Sequence, residues 1–423
     1  MSGQRGSLWG GSVSVIVPTH DRVESLVRLL RALGSASVTR PHEVIVVADG
    51  CTPETARAVA ALDVPYRVRV LEHQPARGAA VARNSGAREA SGDVLLFIDD
   101  DIEPFGDVVG AHRQHHDGTP RVVIGAPRAP RTAHAGFREL AAWAWWEQQF
   151  ERMREPGYRF SYDDVFTGLL SVPRSLWRAV GGFDSSLQCR EDYELGLRLV
   201  RRRVDFVFSE AGGGWHHENR SGSRLARRKY DEGSADVALA RVHPWAFPAL
   251  RLSTGAAEPR ADVVRRIAFD WPRAGAWGAR LADRLLDVLE ALRMRRTWQR
   301  VLGGIMFFTY WRGAASALGS WEALDELRDT AERTRLPDYR ELEVDLEDDL
   351  ELVRSRIDQE RPDVLRLRCG PLPLGRVPVA AGREPLRGSH LTGGEDQLGR
   401  ALIAARALAE LRSNAAEPAT TRV

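Results

Sequence analysis

Apolar and polar positions alternate in blocks along the first hundred residues. Residues 13–17 form a β-branched run that breaks at Pro18, after which Val23, Leu26, Val27, Leu30 and Leu33 recur at helical spacing up to Gly34. The pattern predicts a strand, then an amphipathic helix that stops at the glycine. A second apolar run at 44–47 predicts another strand, and Pro53 suits the first turn of the helix after it. Residues 67–71 read as a weaker strand, 77–90 as a Gly/Ala-rich helix closed by Gly92, and 94–98 as a fourth strand. That last run, Val-Leu-Leu-Phe-Ile, has no polar interruption, which predicts burial on both faces. Strands alternating with helices in this way call for an α/β fold, a mostly parallel sheet flanked by helices.

The pattern then changes. Residues 137–150 carry Leu140, Trp143, Trp145 and Trp146 on one predicted helix. Packing against the sheet is the expected use of these aromatics, and a platform on which an acceptor ring stacks is the alternative. Glu191 and Asp192 open a helix whose apolar positions are Leu195, Leu197, Leu199 and Val200, and a strand follows at 204–208. Beyond about residue 240 the pattern is helical. Residues 262–300 hold nine arginines against five acidic residues, with Leu281, Leu285, Val288, Leu289 and Leu292 at helical spacing. Basic amphipathic helices lie on anionic membranes or pack as ordinary surface helices, and Trp271, Trp277, Trp298 and the apolar run 305–311 add weight to peripheral membrane contact. Period-two alternation at 364–368 and Pro/Gly punctuation over 371–388 predict a small β-rich appendage, followed by a helix at 397–411. The expected organisation is a main domain at 12–240, a helical extension at 241–335, a small α/β appendage at 336–412 and a flexible tail at 413–423.

Lys+Arg 60 against Asp+Glu 58 leaves a net charge of +2, so no global field draws the chain to nucleic acid. Three cysteines, far apart, exclude a disulfide scaffold and a Cys-rich zinc site, and fit a reducing compartment. The first eleven residues are polar and Gly-rich, unlike a signal peptide. The most apolar later stretch, 301–319, is interrupted by Arg312 and diluted by glycine, so it reads as a buried or membrane-surface helix and not a span. A cytoplasmic location follows, at the inner face of the membrane if the basic helices bind lipid.

Polar residues gather where the predicted strands end: Thr19 and Asp21 after the first, Asp49 after the second, and Asp99, Asp100 and Asp101 after the fourth. Parallel α/β sheets bind ligands beyond those ends. Three consecutive aspartates are costly to hold together unless positive charge neutralises them. Mg²⁺ or Mn²⁺ shared between a carboxylate and substrate phosphates would do so, and the placement points to a metal-bound diphosphate.

The motifs Val13-Ser-Val-Ile-Val-Pro-Thr19, Val46-Val-Ala-Asp-Gly50, Ala82-Arg-Asn-Ser-Gly86 and Phe97-Ile-Asp-Asp-Asp101 stand in order along the chain. Gly181-Gly-Phe-Asp184 and Glu191-Asp-Tyr-Glu-Leu-Gly-Leu-Arg198 follow them. In order and spacing these resemble the family 2 glycosyltransferases, nucleotide-sugar enzymes of the GT-A (Rossmann-like) fold, over about residues 12–235. The resemblance implies that Pro18 and Thr19 line the nucleotide pocket, with Asp21 and Arg22 beside them. It implies that Asp49 meets the base or ribose and that Arg83 lies near the base or diphosphate. Within the Asp-x-Asp motif, Asp99 would hold the ribose and Asp101 the metal, with Asp100 as the variable middle. Ala48 departs from the pattern, which often has an acidic residue there, and leaves the nucleotide open among UDP, GDP and dTDP.

Transfer to a hydroxyl acceptor needs a base, and the resemblance places it on Asp192, with Glu191 and Glu194 as nearest competitors. Acidic residues at a helix start are also ordinary caps. Gly168 and Asp184 would line the acceptor or donor-sugar side together with Glu191. A histidine after the last strand completes the family pattern as a metal ligand, either His216 or His217; neighbours on a strand point to opposite faces, so one of the two is expected to reach the metal. Arg220, Arg224, Arg227, Arg228 and Lys229 suggest a mobile basic loop closing over the diphosphate. The reading is an inverting, metal-dependent transferase. Its rivals are a sugar-nucleotide nucleotidyltransferase, which would show a Gly-rich basic loop after the first strand, and a non-catalytic nucleotide- or sugar-binding module of an envelope assembly complex, which would need no base.

Overall fold

The computed structural model describes residues 11–36, 38–130, 135–217, 222–253 and 259–392. The first half alternates as β1 (Val13–Thr19), α1 (Val23–Ala36), β2 (Glu43–Asp49), α2 (Pro53–Ala60), β3 (Val68–His73), α3 (Ala79–Glu89) and β4 (Val94–Ile98). It continues through β5 (Ile102–Pro104), α4 (Val108–Arg113), β6 (Arg121–Arg128), α5 (Phe137–Arg154), β7 (Leu169–Pro173), α6 (Arg174–Val180), α7 (Glu191–Arg201) and β8 (Asp205–His216). These strands form one eight-stranded sheet in the order β3-β2-β1-β4-β7-β6-β8-β5.

The four strands read from the early pattern are mutually parallel, and β4 is buried throughout. Past β4 the sheet is mixed: β7 runs antiparallel to both β4 and β6, while β8 is parallel to β6 and antiparallel to β5. The expected stop at Gly34 does not occur; α1 continues to Ala36. A single glycine weakens a helix by only about 1 kcal/mol, and here a Cβ would sit 3.1 Å from the Pro65 ring, so close packing explains the small residue.

Gly86 decides where α3 lies. A Cβ there would meet Ile16 at 2.6 Å and Val47 at 3.2 Å, so the bare backbone lets α3 press against β1 and β2. That contact carries Arg83 and Asn84 to the carboxyl end of the sheet. Asn84 in turn grips the Gly182–Phe183 turn from both sides, donating from its amide nitrogen to the Phe183 carbonyl at 2.8 Å and accepting from the Phe183 N–H at 2.9 Å.

After the sheet in sequence, α8 (Gly222–Val242), α9 (Pro259–Asp270), α10 (Pro272–Ala291), α11 (Arg295–Leu318) and α12 (Trp321–Arg333) pack on one another around α11. The basic segment expected as a loop is instead the start of α8, where Arg227 pairs with Asp231, Arg228 with Glu232 and Lys229 with Glu232. Partners three and four residues on favour helix over loop; Arg220 lies outside the described residues. The helices α8 and α11 cross backbone to backbone, since a Cβ on Gly233 would strike the Tyr310 carbonyl and one on Gly313 the Tyr230 carbonyl. Gly313→Ala is therefore expected to cost about 1–3 kcal/mol as overpacking, read as a lower melting temperature. An unchanged melt would mean the crossing is looser than described.

Residues 341–377 add β9 (Glu341–Asp345), α13 (Leu350–Glu360), β10 (Val364–Cys369) and β11 (Leu372–Val377). They form a separate three-stranded sheet with its own apolar core around Val344, Ile357 and Leu365. Ion pairs tie it to the main sheet: Asp363 receives Arg201 at 2.8 Å and Arg203 at 2.9 Å, and Arg361 reaches Asp205 at 2.5 Å. The helix expected at 397–411 and the tail after it lie outside the described residues.

Candidate active site

The carboxyl ends of β1 and β4 bring the first group together. The Thr19 hydroxyl donates to Asp100 at 2.7 Å, and one Arg22 nitrogen reaches Asp100 at 3.1 Å and Asp101 at 2.6 Å. Burial pushes the Asp100 carboxyl up to about 6, against the pull of Thr19 and Arg22. At Asp101 burial acts in the same direction, but His216 and Arg22 outweigh it and hold the group below the usual carboxylate range. Asp99 is the most accessible of the triplet, with 31% of its side chain exposed against 5% and 10% for the other two. Gly168 leaves it that room, because a Cβ would come within 3.0 Å of its carboxylate.

The two histidines separate as strand geometry requires. His216 places Nε2 3.4 Å from the Asp101 carboxylate, whereas the His217 imidazole turns to Glu103 at 2.9 Å. The His217 N–H still donates to the Asp101 carbonyl at 2.9 Å and holds the two chain segments in register. Trp146 of α5 stacks on Phe150, meets Phe166 edge-on and lies 6.4 Å from the His216 ring, while Trp145 is exposed. Burial thus accounts for one of those two tryptophans and not for the other.

A second carboxyl group is joined to the first by one buried guanidinium. Arg83 of α3 donates to Asp99 at 2.6 Å and to Glu191 at 2.7 Å. Helix α7 begins at Glu191, immediately after Arg190, which adopts a left-handed conformation (φ 60°). That strained turn is held by Arg190 pairing with Glu232 and Asp236 of α8, each at 3.1 Å, and lying over the Tyr193 ring at 4.6 Å. Asp236 also accepts from the Tyr310 hydroxyl at 2.5 Å, which links the α8–α11 crossing to the start of α7.

The three acidic residues of α7 have different surroundings. Glu194 is buried and engaged by Arg198 at 2.5 Å and His243 at 2.9 Å, which hold it charged. Glu191 is tied to Arg83. Asp192 accepts from the Tyr193 N–H at 2.9 Å, and desolvation followed by the charge of Glu191 raises its proton affinity to about 7. A carboxyl poised near neutrality can accept a proton at working pH.

Other expected residues do local work. Two oxygens of Asp49 receive the Arg77 N–H at 2.9 and 3.1 Å, the Gly78 N–H at 2.7 Å and His73 at 2.8 Å. A base or ribose donor would have to share those oxygens with them. Asp184 closes a turn on the Ser186 N–H at 2.8 Å and hydroxyl at 2.7 Å. Asp21, with φ 50°, accepts from the Thr52 N–H at 2.9 Å, and Pro18 is partly buried beside Thr19. Asn84 and Arg190 are not among the residues the sequence singles out for the site. Asn84 lay within a motif and carried a signal; Arg190 had none, because its partners are more than forty residues away on α8.

Five carboxyls (Asp99, Asp100, Asp101, Glu191 and Asp192) face the guanidiniums of Arg22 and Arg83, with Arg228 also acting on Asp192. Such a surplus suits a cation. Asp101 and His216 offer one oxygen and one nitrogen donor close together. Among the described residues no group of three His, Cys, Asp or Glu side chains is arranged to hold a metal, so remaining ligands would come from a bound diphosphate.

Residues 14–172 match the model of glycosyl transferase family 2. A pre-mycofactocin glycosyltransferase of Mycobacterium tuberculosis is 29% identical over 301 residues, 67% of this chain and 57% of that protein. A validoxylamine A glucosyltransferase of Streptomyces hygroscopicus is 26% identical over 330 residues, 68% of this chain and 75% of its own. A glycosyltransferase of Haemophilus influenzae is 28% identical over 192 residues, and the chain spans only 62% of it, as it spans 57% of the Mycobacterium protein. A solved mannosyltransferase of Pyrobaculum calidifontis, in complex with GDP-Man and Mn²⁺, is 20% identical, covering 74% of this chain and 88% of its own with a TM-score of 0.45. The matched segment runs from β1 into β7, less than half of the chain, and contains the aspartate triplet, Arg83 and Gly168 in the order described; over these residues the chain is similar to the family 2 glycosyltransferases.

Proposed function

We propose that the chain transfers a sugar, with inversion, from a nucleoside diphosphate donor to a hydroxyl acceptor. The observation that carries this is the Arg83 bridge, which joins the strand-end aspartates to the start of α7 through one buried group. In the reaction the acceptor oxygen attacks the anomeric carbon, its proton passes to Asp192, and the bond to the diphosphate oxygen breaks with its electron pair leaving on the diphosphate. A single displacement of this kind inverts the centre and needs no second nucleophile.

Asp101 and His216 would hold Mg²⁺ or Mn²⁺, whose charge, when present, offsets that developing on the departing diphosphate. Asp99, partly exposed beside Gly168, would contact the ribose, with Arg83 keeping it oriented. Arg22 lies over Asp100 and Asp101, half-exposed and free to follow a ligand's phosphates. Two relatives are named for acceptors, pre-mycofactocin and validoxylamine A, and one for a glucosyl group, which supports a hexose donor here.

A thermal-shift panel of UDP, GDP and dTDP with and without Mn²⁺ tests the donor side. Binding to the native state at a hundred times Kd stabilises it by about 2.7 kcal/mol. One nucleotide is expected to raise the melting temperature, and to do so more with metal. No shift with any of the three would sink the nucleotide-sugar assignment.

A further inference from the structure

The outer face of α10 is apolar and uncovered by any described residue. Trp277, Leu281, Leu285, Val288 and Leu292 recur every three or four positions, so they share one side of the helix. All are exposed, Trp277 by 72% and Leu281 by 70%, and Trp271 at the α9–α10 junction by 68%. Val263 and Ile267 of α9 are exposed as well. The opposite side of α10 supplies Leu286 and Leu289 to a core with Trp298 and Ile305, so packing within the chain is already satisfied there. An exposed row of this kind needs an explanation in a folded chain.

The charges narrow the partner. Two of the three acidic residues on α10 are engaged within the chain, Asp283 by Arg138 of α5 at 2.8 Å and Glu290 by the Phe137 N–H at 2.8 Å, while Asp287 is exposed. Arg266, Arg273, Arg280, Arg284, Arg295 and Arg296 remain exposed around the apolar row. Six exposed arginines thus stand against the exposed Asp287 and the paired Asp283, so the surface beside the apolar row is basic. No helix among the described residues is long and apolar enough to cross a membrane.

We propose that this face docks on an anionic lipid bilayer, with the tryptophans and leucines at the headgroup boundary and the arginines on lipid phosphates. A second copy is the other occupant the spacing allows, but a two-fold pairing would set Arg280 and Arg284 near their own images. The docked face is also joined to the candidate site. Arg138 and Trp146 lie eight residues apart on α5, about 12 Å along the helix axis, and one holds α10 while the other lies over His216.

The test is sedimentation of the full chain with phosphatidylcholine vesicles, with and without phosphatidylglycerol. Capture is expected to be about tenfold or more greater on the anionic vesicles and to weaken with added salt. Leu281→Ser with Leu285→Ser, and separately Arg280→Glu with Arg284→Glu, should each abolish it while the melting temperature stays put. Absence of capture, or equal capture by neutral vesicles, would overturn the proposal. So would a lipid-free mass of two copies by light scattering that the serine variant returns to one, which would assign the face to self-association.

Discussion

Asp192→Asn is expected to lower turnover by about 10²–10⁴-fold, the usual contribution of a positioned general base, while nucleotide-dependent thermal shifts persist. The amide keeps the size of the carboxyl and its acceptor oxygen for the Tyr193 N–H, so the start of α7 should survive the change. Glu191→Gln separates the competing assignment, because collapse in that variant with normal turnover in the asparagine variant would move the base one residue back. The pH profile carries an independent sign. A base must be deprotonated to act, and burial beside Glu191 raises Asp192 to about 7. Activity should therefore fall as pH drops through neutrality, whereas an unperturbed aspartate would sustain it to about pH 4. A flat rate between pH 5 and 8 would count against Asp192.

Asp101→Ala should reduce transfer on the order of 10³-fold, since it removes a ligand for the cation that offsets charge on the leaving group. Its binding signature differs from that of the Asp192 variant. Metal should no longer add to the nucleotide-induced thermal shift, although nucleotide alone still binds through the rest of the pocket. Arg22 keeps Asp100 as a partner, so the strand ends are not left with an unpaired guanidinium. Wild-type metal enhancement in Asp101→Ala would transfer the metal role to another carboxyl and leave His216 without its proposed function.

Local pattern was informative wherever the contacts that matter are short in sequence. The first four strands, the helices between them and the aspartates at the strand ends were readable because period and turn chemistry act over a few residues. The same limit explains the errors. Gly34 looked like a stop, but its reason is a packing contact with Pro65 on another segment. The basic run at 224–229 looked like a loop, and its acidic partners three and four residues on make it a helix. The family pattern favours His216 and leaves the adjacent His217 as an alternative, and the pairing of β5 with β8 puts His216 beside Asp101 and His217 beside Glu103.

The order of residues by itself determined the α/β class, the placement of carboxylates beyond strand ends and the likeness of residues 14–172 to a glycosyltransferase family. Only the tertiary structure decided which of those groups lie together. Arg83 joins Asp99 to a residue 108 positions away, and the left-handed turn that aims Asp192 is held by α8 from more than forty positions on. Proton affinity at Asp192 likewise arises from burial and from neighbours assembled by packing, neither of which leaves a periodic trace along a chain.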